Sequence, residues 1–77
     1  MTRSPKVTAN QVVSVLKRAN FIILRQKGSH LIMRHESDMS RRCVIPVHGS
    51  QIIKPGTFHS ILNGANLSVE EFIDLLR

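Results

Sequence analysis

Few side chains in this chain exchange protons near neutral pH. They are the four histidines, His30, His35, His48 and His59, and a single cysteine, Cys43. One of the histidines stands in a distinctive setting, Arg25-Gln26-Lys27-Gly28-Ser29-His30, where a glycine turn, a hydroxyl and an imidazole follow two cations. Apolar runs lie on either side of this stretch. Glycine gives the backbone the freedom for a tight reversal, so His30 is expected to open a strand and to be held by a sheet. A fixed imidazole among cations suits acid–base chemistry at a phosphate, and the same groups suit phosphate binding alone. The four histidines have no recognisable metal-ligand spacing, and no CxxC or Cys/His cluster points to zinc.

Charge favours an anionic partner. The chain has 77 residues and a formal net charge of +6. Residues 1–67 hold ten of the eleven Lys and Arg against only Glu36 and Asp38, a net of +8, whereas residues 68–77 hold Glu70, Glu71, Asp74 and Arg77, a net of −2. A basic body of this kind attracts nucleic acid through counterion release, and an acidic protein partner would use the same field. A chain this short forms one domain with one small core. The lone cysteine rules out an internal disulfide and fits a reducing compartment. No apolar run approaches the roughly 20 residues of a membrane span, and no signal-peptide pattern is present. The expectation is a soluble cytoplasmic protein.

The elements that would position His30 can be read in order. Residues 1–6 have no apolar period and read as a disordered arm. Thr8-Ala9-Asn10-Gln11 has the spacing of a capping box, with Val7 able to staple onto Val12. Val12, Val13, Leu16 and Ala19 then make an apolar helix face that ends at Asn20. Residues 21–26 read as a strand, residues 30–35 as its hairpin partner and residues 41–45 as a third strand stopped by Pro46. In the second strand Leu31 and Met33 share the helix-packed face, while His30, Ile32 and Arg34 share the other. After a loop at Val47-His48-Gly49-Ser50, Pro55 begins a second helix, with Phe58, Ile61, Leu62 and Ala65 as its buried stripe. Ser68-Val69-Glu70-Glu71 is a second capping box, opening a short last helix on Phe72, Ile73, Leu75 and Leu76.

The order α-β-β-β-α plus a short C-terminal helix predicts an α+β fold. A three-stranded antiparallel sheet carries its helices on one face and leaves the other open. This is the layout of the double-stranded-RNA-binding domain, a fold that reads RNA by shape and backbone contacts.

Gln26-Lys27-Gly28-Ser29-His30, Val44-Ile45-Pro46-Val47-His48-Gly49, Ile53-Lys54-Pro55-Gly56-Thr57 and Ser60-Ile61-Leu62 together resemble the HicA toxin family of bacterial toxin–antitoxin systems. The resemblance runs from the first helix to the C-terminus. It implies a double-stranded-RNA-binding-like fold, ribosome-independent mRNA cleavage, an essential histidine at His30 and neutralisation by a HicB-type antitoxin. The chain departs from the family at Asn20-Phe21, where Gly-Phe or Gly-Trp is frequent, and in a longer basic arm.

RNA carries its own nucleophile, the 2′-hydroxyl. Cleavage needs a base to take that proton, an acid to protonate the leaving oxygen and charge stabilisation at the phosphate, with no metal or cofactor required. His30 is the candidate base. The acid is left open among His48, His35, Lys27 and water. Lys27, Arg34, Arg41, Arg42 and Lys54 are candidate RNA contacts, Ser29 a candidate phosphate-orienting group and Gly28 a backbone requirement of the turn. His48 reads first as a loop residue and second as part of the site. His59 reads as structural or solvent-facing, His35 as a hydrogen-bonded edge residue and Cys43 as a small buried apolar group. The leading expectation is a metal-independent endoribonuclease toxin of the mRNA interferase kind. The alternatives are a non-catalytic RNA-binding module and a domain that grips an acidic protein.

Overall fold

In a computed structural model that describes residues 4–77, the order is α1 (Ala9–Arg18), β1 (Phe21–Lys27), β2 (His30–His35), β3 (Arg42–Pro46), α2 (Pro55–Ala65) and α3 (Val69–Leu76). The three strands form one antiparallel sheet in the order β1-β2-β3. α1 packs on β1 and β3, α2 on β3, and α3 against α1. This is the α+β, double-stranded-RNA-binding-domain-like layout, with the helices on one side of the sheet. Of the expected arm, residues 1–3 lie outside the described residues. Ser4 is placed against α2, its Oγ 2.7 Å from Nε2 of His59.

Both capping boxes form. The Thr8 hydroxyl accepts from the Gln11 backbone while the Gln11 carboxamide accepts from Thr8 N–H, and Ser68 with Glu71 repeats the arrangement. Each satisfies backbone donors that a helix start leaves without intrahelical partners. α1 stops two residues before Asn20, which takes the left-handed conformation at φ 70°, and Asn66 does the same after α2 at φ 55°. The buried face of α1 differs from the expected stripe. Ala9, Val12, Val15 and Leu16 are buried, while Val13 and Ala19 only border the core. The shift follows from packing, because α1 must face both the sheet and α3.

The core joins these residues to Val7, Phe21, Leu31, Met33, Cys43, Ile45, Phe58, Ile61 and Phe72. Phe58 and Phe72 meet edge-to-face at 4.9 Å, locking α2 to α3. Arg18 donates to the carbonyls of Leu75 and Arg77, so a cation from α1 holds the carbonyl end of α3.

The loop between β3 and α2 is also tied down. Thr8 bridges to Ile52, and Ile53 N–H donates to the Val7 carbonyl at 2.8 Å. Residues 52–53 thus pair with the segment that leads into α1, a contact that ties the loop before α2 to the start of the chain's first helix. Among the described residues no helix is long and apolar enough to cross a membrane.

Candidate functional site on the open sheet face

The site begins at the hairpin. Lys27 and His30 are cross-strand partners, leaving Gly28 and Ser29 as the two residues of the turn. Gly28 has φ +59°, the left-handed region in which a side chain strains the backbone. The Gln26 amide donates to the Gly28 carbonyl at 3.1 Å and stiffens the reversal. On the other side, Val47 N–H donates to the Ser29 carbonyl at 2.7 Å, so the turn is clamped to the end of β3. His30 pairs with Pro46 there. The imidazole therefore stands on a backbone fixed from both sides, and it is exposed.

Strand alternation distributes the remaining groups. Leu31, Met33, Cys43 and Ile45 are buried beneath the helices. The opposite face presents Ile22, Arg25 and Lys27 from β1, His30, Ile32 and Arg34 from β2, and Arg42, Val44 and Pro46 from β3, as the pairings require. Ile22, Ile32 and Val44 form its centre, and the cations lie around them. Arg34 and Arg42 are direct cross-strand partners. Like charges so placed repel, and a bound anion would relieve them. Arg34 Nε donates to the His35 carbonyl, which fixes its position along the strand.

The other candidates divide. Arg41 is turned to the helix side, where Nε donates to the Ala65 carbonyl at 2.8 Å and the guanidinium lies 5.3 Å from the Phe21 ring centre. It holds α2 to the sheet, and the open-face cations are Arg25, Lys27, Arg34 and Arg42. Ser29 is half-buried, with its carbonyl engaged by Val47. Lys54 is the N-cap residue of α2 and lies on the rim of a cavity beside the sheet end.

The four histidines are separated by the fold. His35 lies on the helix side, edge-to-face with Phe21 at 5.4 Å, and its Nδ1 accepts from Ser37 N–H. His59 packs against Phe58 and bonds Ser4. His48 follows Pro46, the cross-strand partner of His30, by two residues in the exposed loop after β3. Cys43 is buried, and burial pushes its thiol up to about 11. Among the described residues no group of three His, Cys, Asp or Glu side chains is gathered as a metal site.

Sequence reasoning did not find the cavity next to this face. It has a volume of about 330 Å³ and is walled by Pro46, Ile52 and Ile53, with His48, Gln51, Lys54 and Thr57 supplying polar atoms. Its lining comes from one stretch, residues 46–57, which in sequence reads only as a strand end, a loop and a helix start, and whose course is pinned where residues 52–53 pair with residues 7–8.

Fold and site define a class: a small basic α+β domain, laid out like a double-stranded-RNA-binding domain, with a histidine fixed among cations on its open sheet face. The model of the HicA toxin of bacterial toxin–antitoxin systems matches residues 9–67, from the start of α1 to just beyond α2. The chain belongs to the HicA family, as a toxin of a toxin–antitoxin system, and that membership implies a cognate antitoxin. No curated protein matches it.

Proposed function

We propose that the chain is an mRNA-cleaving endoribonuclease that acts without the ribosome, with His30 as the general base that activates the 2′-hydroxyl. The whole chain acts as one toxin domain in the cytoplasm, where it inhibits translation, and a HicB-type antitoxin neutralises it. The observation that carries this reading is the position of His30: exposed, clamped by the Gly28-Ser29 turn and by Val47, and sharing a sheet face with Lys27, Arg34 and Arg42. A base must reach the proton it removes from a defined position. Cations around it can hold the phosphate and offset the charge that develops on its oxygens. The reaction transfers the 2′-hydroxyl proton to His30, joins the 2′ oxygen to phosphorus and releases the 5′ oxygen of the next nucleotide.

The test is cleavage of a labelled single-stranded RNA in EDTA by the native chain and by His30→Ala, with product ends identified by mass. Removal of a general base lowers the rate by roughly 100- to 10,000-fold, with 2′,3′-cyclic phosphate ends from the native chain alone and RNA affinity retained by the variant. Binding by both proteins with cleavage by neither would leave an RNA-binding module. Failure of the native chain to bind RNA would point instead to a protein-gripping domain.

A further inference from the structure

Acid–base cleavage leaves one proton unassigned, the one that must reach the departing 5′ oxygen. Among the histidines, His35 is on the far side of the sheet and His59 is bonded to Ser4 on α2. His48 is different. It lines the 330 Å³ cavity that shares Pro46 with the His30 strand pair. Pro46 is the direct cross-strand neighbour of His30, and such neighbours have their Cβ atoms about 4.5–5.5 Å apart. The cavity therefore begins one residue from the proposed base.

Its lining suits a nucleoside. Pro46, Ile52 and Ile53 give apolar wall, while His48, Gln51 and Thr57 can hydrogen-bond and Lys54 brings a positive charge. The volume lies at the lower end of the range for small-molecule sites, roughly 300–1,000 Å³. Ile52 is more than half exposed although the backbone around it is anchored to residues 7–8. An apolar side chain fixed at a cavity wall offers a face for a base. The loop that carries His48 is held at both ends, by Val47 N–H on the Ser29 carbonyl and by Ile53 N–H on the Val7 carbonyl.

We propose that this cavity is the subsite for the nucleoside on the leaving side of the scissile phosphate, and that His48 is the general acid. The proposal rests on the nuclease reading above. In the balanced step, the 2′ oxygen forms its bond to phosphorus as its proton passes to His30. The bond from phosphorus to the 5′ oxygen breaks, and the protonated imidazole of His48 gives its proton to that oxygen. The products are a 2′,3′-cyclic phosphate and a free 5′-hydroxyl. Proton exchange with water then returns both histidines to their starting forms.

The discriminating substrate is an RNA with sulfur in place of the bridging 5′ oxygen at the cleavage site. A thiolate leaves without being protonated, so this substrate needs no general acid. We expect His48→Ala and His48→Gln to cut ordinary RNA at least about 100-fold more slowly than the native chain, yet to cut the sulfur-bridged RNA at close to the native rate. His30→Ala should be slow on both substrates. His48 is an exposed loop residue, and matching thermal unfolding curves for the variants would establish that they fold. Equal loss on both substrates would overturn the acid assignment, as would full activity of the His48 variants on ordinary RNA. If the native chain cuts neither RNA, the nuclease reading itself fails. If it cuts both and the variants do not discriminate between them, only the His48 assignment falls.

Discussion

Cys43 and Gly64 lie back to back where α2 meets β3, and each makes a prediction that depends on a single side chain. Burial holds the Cys43 thiol up at about 11, and the thiolate is the reactive form. A maleimide at pH 7 should therefore leave the folded chain almost unmodified and label it rapidly in denaturant, as mass spectrometry would show. Rapid labelling of the folded chain would mean that β3 opens readily. Gly64 has its role through close approach: a Cβ there would meet the Arg42 carbonyl oxygen, a backbone atom that cannot swing aside. Gly64→Ala should cost roughly 1–3 kcal/mol, the usual range for overpacking, measured by urea unfolding. Gly28→Ala meets no neighbour at all, so its cost comes only from the left-handed backbone, about 1–2 kcal/mol. The role of Gly28 was legible because it sits in a turn between two apolar runs. That of Gly64 was not, because a glycine near a helix end reads as an exit signal and the opposing carbonyl is 22 residues away in sequence.

Elements were legible where their signals are local. The two capping boxes, the hairpin turn and the left-handed Asn20 each depend on neighbours within four residues, and each appears where the spacing places it. β1 was harder to read. Its run Phe21-Ile22-Ile23-Leu24 carries no alternation, and the structure resolves this with a register shift between Ile23 and Arg25. The shift returns Arg25 to the open face opposite Ile32 and interrupts an otherwise flat apolar edge, a device that discourages pairing with another chain. The third helix offers a test at this scale. The Glu71 carboxylate accepts from Ser68 N–H, and hydrogen bonds from Ser68 hold its pKa below the ordinary value. A carboxyl whose folded pKa is depressed contributes stability that is fully present above the unfolded value and is lost as pH falls through the folded one. Acid titration of the native chain should thus show a fall in melting temperature that Glu71→Gln lessens, since an amide does not titrate, with the rest shared by Asp38, whose pKa the Ser40 hydrogen bonds also lower. Ser68→Ala should cost about 1 kcal/mol at neutral pH through loss of the cap. An unchanged melting temperature in Ser68→Ala would show that α3 is held by Phe72 and Arg18 alone.

For the molecule as a whole, the question is how a charge of +6 acts through one face. The sheet divides the chain's cations: Arg18 and Arg41 are spent on the carbonyls of α3 and α2, whereas Arg25, Lys27, Arg34 and Arg42 surround the apolar centre of the open face and Lys54 stands at the neighbouring cavity. Composition made the excess of charge plain but not this division, because Arg41 and Arg42 are adjacent in sequence and only the pairing of β3 turns them to opposite sides. The division has a measurable consequence. If the open face and cavity rim bind single-stranded RNA, their five cations set the number of counterions released, and the logarithm of affinity should fall with the logarithm of salt at a slope of about −0.7 per phosphate neutralised. A slope between about −2 and −3 fits a face on which three or four of these five cations meet phosphate at once. Arg34→Ala and Arg42→Ala should each make that slope shallower by nearly one phosphate's share and weaken binding with little regard to sequence. Arg41→Ala should instead leave the slope unchanged and lower thermal stability, because it removes a bond to the Ala65 carbonyl and a ring contact with Phe21. Were Arg41→Ala to flatten the salt dependence as much as Arg42→Ala, the RNA would have to lie across the edge of the sheet and the α2 end. The open face would then lose its claim as the binding surface.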